Sequence, residues 1–284
     1  MDILILINIY IVLVLAANIL VGWVNLFSIC QAAFYGIGAY LGAWLLLHFN
    51  FSFLFTSIVV MTLTGLSSIL VSYASTKLKG DYFVLASLAF QMIVCSVLKN
   101  WIPVTRGPYG ITGIPTIRVM GVEVDGELDF LFLTLVVVAV MIVMFNYLRK
   151  SPFGRVLLAI RSDEVVVDSK GRSSAAFKNR AIFISAAFTG LGGLLFASYV
   201  SFIDPSCFEL NESIFILSAL FIGGIGGVKG PVLGAVFVGL VPTLVRALNL
   251  PDNVAPNLNE IIYGILLVVV MFVKPQGVLG EDLK

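Results

Sequence analysis

The sequence predicts an all-α fold: a polytopic transmembrane bundle of about 8–10 helices with a short amphipathic cytoplasmic helix. Three observations lead there. Of 284 residues, 60% are hydrophobic and 12% charged, where a soluble domain carries about twice that charged fraction. Apolar runs of about 18 or more residues recur along the whole chain, continuous rather than alternating, which excludes a β-barrel pattern. Basic residues gather in one place: 149–180 holds eight Lys and Arg against three acids.

The apolar segments run about 3–20, 29–47, 53–76, 82–101, 128–148, 180–203, 214–228, 231–248 and 258–273. The start, MDILILINIYIVLVL, carries an acid where a signal peptide carries bases, so it reads as a retained first helix. Loop charges set the orientation. The basic 149–180 loop is expected in the cytoplasm. The loop 204–213 (DPSCFELNES), with Asp204, Glu209 and Glu212, is expected outside, as is 102–127 with Glu123, Asp125 and Glu127. Lys77, Lys79, Lys274 and Lys284 then fall inside and the N-terminus outside. Arg246 is the exception, landing outside. The longest loops are too short for a separate folded unit, so 1–284 reads as one domain.

Net charge is +1, which points to no nucleic-acid partner. Cys30, Cys95 and Cys207 are scattered without metal-ligand spacing, so no metal site is expected. GGIGGVKG (Gly223 to Gly230) fails as a phosphate loop. Val228 stands where the second glycine is needed, and Gly230 follows Lys229 instead of Ser or Thr. No nucleophile elbow appears either, so no catalytic residue is expected. The middles of the apolar runs lack Asp, Glu, Lys and Arg, which argues against a proton relay.

Ser151–Gly171 reads as an amphipathic helix. Ser151 caps it and Pro152 suits its first turn. Phe153, Val156, Leu157, Ile160 and Glu164 share a face. Such a helix either lies on lipid headgroups or docks a cytoplasmic protein. Two glycine-broken segments, at 28–46 and 213–237, look like counterparts in the two halves of the chain, a pattern that marks transport sites but also plain helix packing. The candidate pathway residues on them are Ser28, Gln31, Gly36, Gly38, Gly223, Gly224, Gly226 and Gly227. Asn25, Ser28 and Gln31 can equally be interhelical hydrogen-bonding groups.

SPFGRVLLAIRSDE (151–164) resembles the cytoplasmic signature of the branched-chain amino-acid permeases of ATP-binding-cassette importers, closest to their M-type subunit. NILVGWVNLFSICQAAFYGIGAYLGA, LKNWIPVTRGPYGITGIP, SALFIGGIGGVKGPVLGAVFVG and KPQGVLG resemble further blocks of that family, in order along the chain. The resemblance implies a non-catalytic permease of the bacterial or archaeal inner membrane. It implies a second, H-type permease, two ATPase subunits and an external substrate-binding protein as partners. No cofactor is expected in this chain, with ATP and Mg held by the partner ATPases. By position, Gly154, Arg155, Ala159, Ile160, Arg161, Asp163, Glu164 and Gly171 would form the ATPase-coupling contact. VVVDSKG (165–171) and SSAAF (173–177) depart from the family pattern. The substrates implied are Leu, Ile and Val. Alternatives are another small neutral solute, such as urea or an amide, or an ion-coupled secondary transporter.

Overall fold

The computed structural model describes residues 1–49, 51–78, 80–119, 122–124, 126–247, 261–265, 268–269, 272 and 277–279. It is a helical bundle. Among the described residues six helical spans are long and apolar enough to cross a bilayer. These are α1 (Asp2–Asn18) with its π-helical extension Ile19–Val24, α2 (Gln31–Phe49), α3 (Phe53–Ser67) running on into α4 (Ile69–Lys77), α5 (Asp81–Asn100), α7 (Glu127–Lys150) and α10 (Ser174–Val200). The short α6 (Ile102–Thr105) follows α5. Two small helices, α8 (Pro152–Ser162) and α9 (Glu164–Ser169), lie between α7 and α10. The chain then folds α11 (Leu210–Gly223) and α12 (Lys229–Ala247). Half of the expected segment 258–273 falls outside the described residues; 261–265, 268–269 and 272 are helical. Lys79, Asp125, Lys274, Lys284 and the side chains of Glu123 and Arg246 also lie outside them.

Burial sorts the spans. α1, α2 and α10 bury most of their surface, whereas α5 and α7 bury little. α1 is apolar all round, as a central helix must be. The outer helices turn Ile93, Val97, Phe132, Val140 and Val143 outward, the surface a lipid-facing span requires. Between α2, α3, α4 and α5 an apolar groove of about 1020 Å³ opens, lined by Leu41, Trp44, Leu70, Phe90 and Ile93 among others.

Small residues let the central helices meet. A Cβ on Gly38 would collide with the Gly190 backbone, and one on Gly193 with the Tyr35 carbonyl. α2 and α10 therefore cross in near backbone contact, the device that replaces a hydrophobic driving force inside a membrane.

The two ends group as the loop charges predict. At one end, two antiparallel two-residue pairs form, β1 (Ile111–Thr112) with β4 (Phe202–Ile203) and β2 (Arg118–Val119) with β3 (Val122–Glu123). Tyr199 donates a hydrogen bond to the Asp2 carboxylate there, so the chain start sits with the loops expected outside. At the other end, α8, α9, the end of α1 and the 224–228 loop come together.

The segment 204–213 differs from the loop expected. It is a 3-10 turn, Pro205–Phe208, running into the first turn of α11. Phe208 is fully buried against Tyr35, Tyr40 and Phe196. Glu212 has a buried carboxylate oxygen, and Glu209 pairs with Lys99 at 2.6 Å. Asp204 thus caps the 3-10 turn, Glu209 and Glu212 lie at the start of α11, where negative charge meets the positive end of the dipole, and Glu212 turns into the bundle.

Candidate functional site: a two-helix coupling surface joined to a glycine loop

α8 starts as its sequence dictates. The Ser151 hydroxyl accepts from Gly154 N–H at 3.2 Å, and Pro152 holds the first helical position. A Cβ at Gly154 would strike the carbonyls of Leu148 and Arg149, so the sharp α7–α8 corner needs glycine. Val156, Leu157 and Ile160 are buried against the bundle, and Phe153 stacks on Phe177 at 5.8 Å.

The expected single helix 151–171 is two helices. Asp163 is extended (φ −159°, ψ 110°), and its carboxylate accepts from Val165 N–H at 2.8 Å and Val166 N–H at 3.3 Å. An Asp so placed is a strong N-cap, so the chain restarts as α9 instead of continuing α8. Glu164 therefore does not extend the apolar face of α8. It reaches Lys178 on α10 at 2.7 Å and accepts from the Ser174 hydroxyl at 2.9 Å.

Two kinds of residue emerge from the sequence-chosen set. Arg155, Ala159 and Asp163 are exposed and line an open groove of about 560 Å³ between α8 and α9, with Val166, Lys170 and Arg172. Gly171 is exposed beside it, with φ +75°. Gly154, Ile160, Arg161 and Glu164 face inward. The Arg161 guanidinium donates to the Val21 carbonyl at 3.1 Å and to that of Gly22. Partial burial lowers its pKa from the ordinary value, and an arginine keeps its charge regardless. Those carbonyls belong to the last turn of α1, where backbone acceptors lack helical partners and a cation is favoured.

The π-turn is tied in turn to the glycine loop between α11 and α12. The Asn18 amide accepts from Gly226 N–H at 2.9 Å and donates to the Gly227 carbonyl at 2.8 Å. The Trp23 indole donates to the Gly226 carbonyl at 3.0 Å. Gly224 (φ +113°) and Gly226 (φ +94°) adopt backbone that disfavours any side chain. Val278 and Leu279 donate their amides to the Ile222 and Gly223 carbonyls, closing the free end of α11.

The other pathway candidates are buried within the chain. Ser28 lies 3.0 Å from the Cys30 sulfur. Gln31 accepts from Thr189 at 2.9 Å and donates to Ser185 at 3.4 Å, bridging α2 to α10. Asn25, by contrast, is exposed and ends the π-turn in the left-handed conformation. Gly36 packs on Phe208, Gly38 on Gly190, and Gly223 on Gly230. The start of α2 is held by Ser87, Gln91 and Ser213, which meet the amides of Ile29, Ala33 and Ala32. Sequence reasoning passed over Asn18, Trp23, Gln91, Lys178 and Ser213. The available signal was a polar group inside or at the edge of an apolar run, which needs a partner.

This architecture defines a multi-pass helical membrane protein with a grooved two-helix surface, α8 and α9, between two of its spans. The family model for the branched-chain amino acid transport system / permease component matches residues 1–271, and the chain belongs to that family. It is 32% identical to the high-affinity branched-chain amino acid transport system permease protein LivM of Escherichia coli (strain K12), across 98% of this chain and 69% of that protein. A probable LivM of Methanocaldococcus jannaschii is 27% identical over 73% of this chain and 62% of its own length. The LivH permease of E. coli K12 is 25% identical over 50% of this chain and 44% of that protein. No solved structure matches the chain.

Proposed function

We propose that this chain is one of two related permeases in an ATP-driven, binding-protein-dependent plasma-membrane importer of branched-chain amino acids. ATP hydrolysis belongs to separate ATPase subunits, which dock on the α8–α9 groove. A second permease contributes the other half of the pathway, and an external binding protein meets the end carrying β1 to β4. The observation that carries the reading is the groove itself. An exposed surface with Arg155, Lys170 and Arg172 around Ala159 and Val166 offers an apolar floor and an orienting basic rim. Charges so placed set register and partner choice more than affinity. Similarity to permeases of both the LivM and LivH kinds supports the paired arrangement.

The test is gentle purification of the tagged chain from its own host. A nucleotide-binding ATPase and a second permease should come with it. Reversing the groove charges (Arg155→Glu with Arg172→Glu) should release the ATPase while the second permease stays. Purification of the chain alone, unchanged by the reversal, would make α8 a lipid-surface helix and move the energy source into the membrane.

A further inference from the structure

Arg161 lies on the helix of the coupling surface but spends its guanidinium inside the chain. It bridges the buried side of α8 to two carbonyls of the π-turn, 139 and 140 residues earlier in sequence. The same turn places Trp23, and one turn back Asn18, against Gly226 and Gly227. The two layers touch directly. A Cβ on Gly22, whose carbonyl receives Arg161, would come within 2.8 Å of the Gly226 nitrogen. Trp23 also packs on Phe145 near the end of α7, 4.6 Å between ring centroids, so both the helix before α8 and α8 itself bear on this turn. A contiguous route therefore runs from the half-buried Arg161 on α8 through the π-turn backbone and its buried hydrogen bonds to the kinked loop between α11 and α12.

The turn in the middle suits a switching element. A π-turn is an α-helix carrying one residue too many, and such turns sit at hinges and functional sites. Its carbonyls are the ones a helix end leaves open, so their partner decides the conformation that is stable. Withdrawing a fixed cation from them favours another arrangement of the turn. The carbonyl-to-Arg161 and amide-to-Gly226 bonds cannot then shift independently.

We propose that Arg161 is a positioning residue that couples the seating of α8 to the glycine loop of α11–α12, acting through the π-turn of α1 and not by contact with the ATPase. This rests on the proposed function, and it assigns Arg161 a different part from Arg155. Movement of α8 on its partner pulls or releases the π-turn. Asn18 and Trp23 carry that change to Gly226 and Gly227, where the backbone is held open by glycine.

The experiment uses the whole importer, purified with its ATPases and second permease and reconstituted with its binding protein in liposomes. Basal ATP hydrolysis, its stimulation by loaded binding protein, and leucine uptake per ATP are measured. In Arg161→Ala the assembly should co-purify intact with unchanged basal hydrolysis, while uptake per ATP falls about tenfold or more, the low end for losing the charge-assisted hydrogen bonds to two carbonyls. Arg161→Lys, which keeps a cation, should recover part of the loss. Trp23→Phe, which removes one N–H donor and keeps an aromatic body, should lower the same ratio while the assembly still co-purifies with its ATPases. Wild-type uptake per ATP in Arg161→Ala would overturn the proposal. So would loss of the ATPase from the Arg161→Ala assembly, which would make the residue a docking contact. Failure of the proposed function itself would show separately, as a wild-type assembly that takes up nothing when given ATP.

Discussion

The Lys178–Glu164 pair is the sharpest test of how the coupling surface is fastened to the bundle. Lys178 sits on the first turns of α10 with its side chain 9% exposed, and its ammonium lies 2.7 Å from Glu164, whose side chain is 32% exposed. Replacing Lys178 by Met removes one member of the pair and takes from the Glu164 carboxylate its cation on α10, while Ser174 still donates to it. Breaking a fully buried pair costs about 3–5 kcal/mol. Glu164 is open enough for water to reach it, so the expected loss is smaller, about 2–3 kcal/mol. The double variant Glu164→Gln/Lys178→Met keeps an acceptor for Ser174 and buries no lone charge, so it should recover to within about 1 kcal/mol of the parent. Equilibrium unfolding by SDS in mixed micelles, followed by tryptophan fluorescence, reads both values. A Lys178→Met midpoint equal to the parent's, or a double variant as weak as the single, would refute the internal pairing.

Three further expectations concern local structure. Asp163→Ala removes the N-cap of α9 and should cost about 1 kcal/mol, seen as faster hydrogen exchange at Val165 and Val166; unchanged exchange there would mean the cap does not hold the helix. Gly38→Leu forces a side chain into the Gly190 backbone and should destabilise by about 3 kcal/mol or more, with parent-like SDS resistance as the contradicting result. Burial pushes the Cys207 thiol above its ordinary value of 9.0. Because only the thiolate reacts, maleimide labelling of a Cys30→Ala/Cys95→Ser chain should still be climbing above pH 9, and a rate that levels off lower would contradict that burial.

What was legible in the sequence was whatever depends on local pattern. Continuous apolar runs set the spans, because every backbone group in lipid must be satisfied within the segment. Ser151 and Pro152 announced the start of α8. The break at Asp163 was equally local, since Asp before Glu-Val-Val is a helix-start pattern, and reading one amphipathic face through Glu164 obscured it. The acidity of 204–213 left the local shape of the segment open. Loop charge predicts the side of the membrane, but says nothing of a segment that dips back to bury Phe208 and aim Glu212 inward. The remaining features are contacts between distant positions. Nothing around Arg161 tells that its partners are the carbonyls of Val21 and Gly22. Nothing around Asn18 tells that its amide closes on Gly226 and Gly227. Glycines 38 and 190 gain their meaning only as a pair.

The central claim is that this permease moves its substrate with work delivered through the α8–α9 surface. The direct measurement is uptake of radiolabelled leucine into liposomes carrying the chain, its second permease and the ATPases, with the binding protein outside and ATP within. The account predicts ATP-dependent accumulation that disappears when Arg155 and Arg172 are reversed to Glu, though the protein still inserts. Uptake by liposomes holding this chain alone, driven by an ion gradient and indifferent to ATP and to those substitutions, would contradict it.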